Sequence, residues 1–144
     1  MKRKWKILLF SCVVISLFSG LLYAGATMQA SDYIHKYTAS LNPQKGGKIA
    51  AYVYIEGTSN VTSIGATTIY LYESPTGSGY SCVKTFTPED YPDMMGSGSF
   101  FRKEVVTYDR TAGYSYFAII NCYAGNENGS DTKPYTTSVV KAIK

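Results

Sequence analysis

From residue 33 onward, apolar and polar side chains alternate along the chain with a period of two. The alternation is strongest over residues 113–125, GYSYFAIINCYAG. Tyr114, Tyr116, Ala118, Ile120, Cys122 and Ala124 share one parity there; Ser115, Phe117, Ile119, Asn121 and Tyr123 share the other. A two-residue period bounded by glycines and rich in aromatic and β-branched residues predicts a long strand. One face of it is continuously apolar or small. The other mixes Phe117 and Ile119 with polar groups, the pattern of a central strand whose outer face is partly covered. The remaining strands are expected to pack around this one.

Six further strands follow from the same period. Residues 33–41 alternate Tyr33, His35, Tyr37, Ala39 and Leu41 against Ile34, Lys36, Thr38 and Ser40, as an edge strand would. Residues 42–47 (NPQKGG) are turn chemistry, since glycine permits positive φ and proline has no amide to give to a ladder. Over 48–57, Ile49, Ala51, Val53 and Ile55 face one way, and Ala50, Tyr52, Tyr54 and Glu56 the other. Residues 64–73 and 80–87 flank the turn 74–79 (SPTGSG) and predict a hairpin. Its first arm sets Tyr70 and Tyr72 against Ile69 and Leu71, and its second carries Cys82. Residues 88–98, with two prolines and two glycines, form the longest unpatterned stretch, and regular pairing is not expected in it. Strands over 99–108 and 135–143 complete the set, with a turn at 109–112 and a polar, glycine-containing loop over 126–133. Seven short strands, turn signals about every 8–15 residues and no capped helical periodicity predict an all-β fold, an antiparallel seven-stranded β-sandwich. A small barrel is the alternative architecture.

The first 26 residues break the pattern. Lys2, Arg3, Lys4 and Lys6 precede an uncharged run from Ile7 to Tyr23, and Ala24-Gly25-Ala26 supplies small residues at both positions a signal peptidase reads. This is the composition of a secretory signal peptide, with cleavage expected after Ala26 and Ala30 as the second site. The run of about 17 uncharged residues also meets the lower limit for a membrane span, so an uncleaved anchor is the rival. The small, polar residues after the run favour cleavage. The expected organisation is a removed leader (1–26), a short N-terminal lead (27–32) and a single sandwich domain (33–144), with no membrane span in the mature chain.

Removing the leader changes the charge. The whole chain has 14 Lys+Arg against 10 Asp+Glu; four of those bases and none of the acids lie in the leader, which leaves 10 against 10. A near-neutral chain offers no basic patch to a phosphate backbone, so nucleic acid is not an expected partner. The leader also takes Trp5, the single tryptophan, and Cys12. Cys82 and Cys122 remain, and two cysteines in a secreted chain predict one disulfide. Closing the 40-residue loop between them contributes roughly 4 kcal/mol in the chain-entropy account. Two buried free thiols are the alternative.

Candidate chemistry is sparse. His35, the single histidine, alternates with tyrosines on an expected edge strand, where a rim position accounts for it without acid–base work. Glu89, Asp90 and Asp93, and the oxygen-rich run 126–131 (NENGSD), offer ligands for Ca²⁺ but match no known calcium spacing. No CxxC or zinc-type cluster occurs, and no nucleophile elbow surrounds Ser97 and Ser99, so no metal or cofactor is expected. The tyrosines say more. Tyr52, Tyr54, Tyr70 and Tyr72 share the parity opposite the aliphatics of their strands, and face outward if the aliphatics face in. Tyrosine is amphipathic and has few rotatable bonds, so a grouped set makes a contact surface for a sugar or a protein. Cross-strand pairing that only stabilises the sheet is the plainer role. Tyr91, Met94 and Met95 are a second contact candidate, because methionine adapts to irregular partners; the plainer role there is a loop that plugs one end of the sandwich.

Three stretches together resemble a family of short, secreted, uncharacterised proteins from Gram-positive gut bacteria, classed as a domain of unknown function. They are IGATTIYLYESPTGSGYSCVKTF (64–86), DYPDMMG (90–96), and the run from the central strand through Asp131 to Tyr135-Thr136-Thr137. The resemblance spans essentially the whole mature chain. It implies a secreted bacterial product with a fibronectin-III-like or immunoglobulin-like sandwich, an aromatic (Tyr80) after the third turn, and no assigned activity. The cysteines are not part of it. Nor do they fit the immunoglobulin arrangement, in which a tyrosine stands two residues before the second cysteine; Ile120 stands there. Pattern and composition point to a secreted, non-enzymatic binding module for an extracellular protein or glycan. The alternatives are a carbohydrate-binding module using outward tyrosines, a structural subunit of a surface assembly, and a small hydrolase, for which no constellation stands out. Loss of tryptophan with the leader weighs against the sugar module.

Overall fold

The computed structural model describes Ser31–Lys144; the expected leader, its cleavage site and most of the short lead lie outside the described residues. In chain order the described residues form β1 (Ile34–Gln44), β2 (Lys48–Gly57), β3 (Ser63–Ser74), β4 (Ser81–Phe86), a 3-10 turn (Pro92–Met94), β5 (Met95–Ser97), β6 (Phe100–Asp109), β7 (Ser115–Asn126), β8 (Gly129–Thr136) and β9 (Val140–Lys141). All pairings between them are antiparallel. One sheet has the order β1-β2-β6 and the other β4-β3-β7-β8, with β5 also paired to β3 and β9 to β7. β4 and β5 divide one edge of this wider sheet between them, and β8 and β9 the other. The immunoglobulin constant arrangement puts the fourth strand in the sheet of the first two. Here β4 lies beside β3 instead, the fibronectin type III order for the seven longer strands, and the short β5 and β9 bring the wider sheet to six.

The inward parities are those expected from the alternation. Tyr116, Ala118, Ile120, Cys122 and Ala124 of β7 are each 0% exposed. They share one apolar cluster with Val53 and Ile55 of β2 and Phe101 of β6. Each large aliphatic side chain removed from water contributes about 1.5–3 kcal/mol. A bulge leaves Val105 unpaired, between the pairs Ala51–Val106 and Tyr52–Glu104. It turns two successive valines inward, Val105 and Val106.

Differences from the expected strands concentrate at the edges. β1 continues through Pro43, paired with Ile49, because an edge strand needs no amide on its open side. The 88–98 stretch does pair: β5 lies on Ser63–Gly65 of β3. Gly65 permits this, since a β-carbon there would come within 2.2 Å of the Met94 carbonyl oxygen and its φ is +149°. The 126–133 segment is a tight turn and the start of a strand rather than a long loop: β7 ends at Asn126, Glu127 and Asn128 turn, and β8 begins at Gly129, with Pro134 opposite Asn121 on that edge. The expected last strand breaks at Thr137. Its amide donates to the Ala118 carbonyl at 2.9 Å and its hydroxyl accepts from the Ala118 amide at 2.9 Å. A side-chain oxygen thus replaces a backbone carbonyl, and the ladder stops. At the other end of β8, Asp131 accepts from the Ser31 hydroxyl (2.5 Å) and the Tyr33 amide (2.8 Å), tying the approach to β1 onto this edge.

The expected Cys82–Cys122 disulfide does not form: both thiols are free, Cys82 exposed and Cys122 buried. Cys82 pairs with Tyr72 on one side of β3, and Cys122 with Ala66 on the other. The stretch of β3 from residue 66 to 72 covers roughly 20 Å at about 3.3 Å per residue, whereas a disulfide needs α-carbons about 4.4–6.8 Å apart. Burial pushes the Cys122 thiol up to about 12.

A tyrosine corner joins β6 to β7. The Tyr116 hydroxyl accepts from the Thr111 amide at 3.1 Å, five residues upstream. This is the contact that fixes the equivalent corner of immunoglobulin-like sandwiches. The tyrosine stands at residue 116, four positions earlier than the immunoglobulin spacing from Cys122 places it.

Candidate functional site

Parity places Tyr52, Tyr54, Tyr70 and Tyr72 on the outside, but on two different outsides. Tyr52 and Tyr54 belong to β2 and Tyr70 and Tyr72 to β3, and these strands lie in opposite sheets. The four tyrosines therefore do not form one face.

The outer face of the wider sheet is an aromatic cluster closed on itself. Tyr72 stacks on its cross-strand neighbour Phe117 with ring centroids 4.8 Å apart and planes 1° from parallel. Tyr80 meets the same ring edge-on at 4.9 Å. Tyr70, Tyr72, Tyr80 and Phe117 are all only half-exposed. Such pairs contribute roughly 0.5–1.5 kcal/mol beyond burial alone.

The loop candidates serve the interior. Met94 is 0% exposed and belongs to the core, so it is unavailable to a partner. Tyr91 packs edge-on against Phe86 at 5.1 Å, and Met95 is held half-buried in β5. This loop plugs one end of the sandwich. The oxygen-rich clusters are also engaged internally: Asp93 pairs with Lys103 at 2.7 Å, Asn126 bonds to Asn60 and Asn128, and Asp131 is held as above. Among the described residues no three His, Cys, Asp or Glu side chains group as metal ligands would. No helix among them is long and apolar enough to cross a membrane.

The outer face of the three-stranded sheet is different. Its register sets side chains in cross-strand rows: Ser40–Tyr52–Glu104, Thr38–Tyr54–Arg102 and Lys36–Glu56–Phe100. Tyr52 is 40% exposed and Phe100 57%. Between the strands runs a shallow groove of about 220 Å³, with Thr38, Ser40 and Asn42 of β1 on one bank, Tyr52 and Tyr54 of β2 on the other, and Arg102 of β6. Phe100 packs edge-on against Tyr54 at 5.6 Å, and the Lys36 ammonium lies 5.5 Å from the centre of the same ring. The Tyr54 hydroxyl donates to Glu56, and that bond raises the phenol above its ordinary value. Glu104 raises the Tyr52 phenol likewise, first through a hydrogen bond and then through its charge. Glu104 is further held by Thr107 and by Gln44 at 3.4 Å. The Tyr54 ring is thus steered by a carboxylate on its own face. Arg102 has no such anchor: the ion pairs among the described residues are Lys103–Asp93 and Arg110–Glu73.

Of the residues named from the sequence, Tyr52 and Tyr54 line this groove, while Tyr70 and Tyr72 lie on the far side and Tyr91, Met94 and Met95 close an end. Phe100, Arg102 and the polar residues of β1 join the site only through strand register, to which local alternation is blind. No family model, curated protein or solved structure matches this chain.

Proposed function

We propose that this protein is a secreted, non-enzymatic binding module that holds an extracellular partner on the outer face of its three-stranded sheet. The observation that carries the proposal is the groove beside Tyr52. It is the place where an exposed aromatic, an unpaired guanidinium and a row of hydroxyl and amide groups converge. These groups orient a ligand; the groove presents no nucleophile held against a base. The basic, then apolar, then small-residue order of residues 1–26 supports export. On the opposite face the aromatics are packed on one another, which favours the groove over that face as the contact site.

The test is a binding screen of the mature chain against mucin glycans, bacterial cell-wall polysaccharide and a host-surface protein extract. Two double variants accompany it, Tyr52→Ala/Phe100→Ala and Tyr70→Ala/Tyr72→Ala. Binding lost in the first and kept in the second is the expected result. Loss confined to the second moves the site to the other face, and no binding by the wild-type chain removes the proposal.

A further inference from the structure

The groove is small, and its two banks differ. Its volume of about 220 Å³ lies below the roughly 300–1,000 Å³ of pockets that enclose drug-sized ligands. It accommodates one ring and not an extended surface. A stable protein partner covers roughly 800 Å² of each side, far more than this depression offers.

Each group in the groove narrows the ring's chemistry. Tyr52 is 40% exposed and presents an uncovered aromatic face. Tyr54 is already met by Phe100 and Lys36, so it walls the groove and does not serve as a platform. The β1 bank carries Thr38, Ser40 and Asn42, donors and acceptors suited to ring hydroxyls. Arg102 is the one charged residue lining the groove. Glu56 is turned to the Tyr54 hydroxyl and Glu104 to Thr107 and Gln44, and among the described residues no carboxylate lies within ion-pair distance of Arg102. A guanidinium fork without a partner matches a carboxylate through two parallel hydrogen bonds.

Resting on the binding-module reading above, we propose that the groove binds a carboxylate-bearing saccharide. The apolar face of the sugar ring lies on Tyr52, its hydroxyls meet the β1 bank, and its carboxylate pairs with Arg102. A neutral sugar satisfies the first two contacts but not the third. Uronic acids and sialic acids both supply the required chemistry.

The experiment is an amide-resolved NMR titration of the mature chain with methyl glucuronide, methyl sialoside and methyl glucoside, at low salt and again at high salt. Expected is saturable movement of the Tyr52, Tyr54 and Arg102 amides with at least one acidic sugar. The glucoside should bind at least tenfold more weakly, and added salt should weaken the acidic sugar. Which acid binds identifies the source. Arg102 is exposed, so Arg102→Gln keeps the thermal midpoint while losing at least tenfold in affinity; Arg102→Lys, which keeps the charge but not the fork, loses less. Equal binding of glucoside and glucuronide, or an Arg102→Gln variant that binds like wild type, overturns the acidic-sugar assignment and leaves the module standing. The same division follows if no sugar moves the groove but a protein is captured in a Tyr52- and Phe100-dependent way. If neither a sugar nor a protein binds, both proposals fail.

Discussion

The hydroxyl of Tyr116 donates to Glu73 Oε2 at 2.6 Å, joining two side chains that are cross-strand neighbours on β7 and β3 but 43 residues apart in sequence. Arg110 donates to the same oxygen through Nη2, also at 2.6 Å. The Arg110 and Glu73 side chains are 17% and 16% exposed, so the pair is largely withdrawn from water. Burial alone would raise the Glu73 carboxyl. The bonds from Tyr116 and Arg110, with the guanidinium charge, outweigh burial and hold it below its ordinary value. The corner is thus a charged cluster closing one end of the core.

Tyr116→Phe removes the hydroxyl and leaves its partners behind. The Thr111 amide and the Glu73 carboxylate each lose a bond in a poorly solvated place, a loss of about 1–3 kcal/mol. Urea denaturation should show a lower midpoint with an unchanged slope. An unaltered midpoint would mean that the corner is held by packing of the ring alone.

Acid should weaken the fold through the same cluster. The folded Glu73 value lies below the ordinary 4.5, so its contribution is complete above that value and is lost as pH falls through the lower, folded one. Asp131 behaves in the same direction, held down first by the Ser31 hydroxyl. Urea midpoints measured from about pH 5 down to about pH 2 should fall for wild type and fall less for Glu73→Gln. Parallel pH profiles for the two would exclude Glu73 as a source of the acid sensitivity.

Neighbouring isoleucines on β7 distinguish the two sides of the strand. Ile120 is 0% exposed, and Ile120→Asp forces a carboxylate into the core, which should abolish folding. Ile119 faces outward and is only half-buried, so Ile119→Asp should fold with reduced stability. Circular dichroism of the two variants decides; a well-folded Ile120→Asp protein would reverse the assignment of the faces.

The thiols should react in order. A chain starting at Thr27 contains Cys82, exposed on β4, and Cys122, which is buried with its thiol pushed up to about 12. An aromatic disulfide reagent at about pH 8 should add once to native protein and twice after unfolding, since only accessible thiolate attacks. Intact mass reads the count, and a protein that takes no reagent even when unfolded would restore the disulfide.

The inward faces of β2 and β7 were legible because alternation along one strand separates its two sides without reference to any neighbour. That same property limits it. Parity separates inside from outside but does not choose between the two outsides of a sandwich, so Tyr52 and Tyr70 looked like members of one surface. Assigning them to opposite sheets needs the crossing between β2 and β3. Arg102 reaches the groove, and Phe100 the Tyr54 ring that walls it, through the pairing of β6 with Tyr54 and Glu56, a contact between distant parts of the chain. The 88–98 stretch hid a strand because its partner accepts it only where Gly65 has no side chain. The polar 126–133 segment hid another, since an edge strand needs neither apolar residues nor every amide. Cysteine spacing carried no geometry: the two thiols lie on opposite sides of β3.

The rims of the wider sheet have a consequence for how separate copies behave together. β4 spans six residues and β5 three on one rim, β8 eight and β9 two on the other. A foreign strand arriving at either rim meets short, offset lengths of hydrogen-bonding groups, with the Thr137 interruption on one side and the Met94 plug on the other. It finds no long uninterrupted template to copy. Fibre growth by strand addition requires such a template, and at these two rims its fragmentation removes it; β1 and β6, the longer outer strands of the other sheet, are not divided in this way.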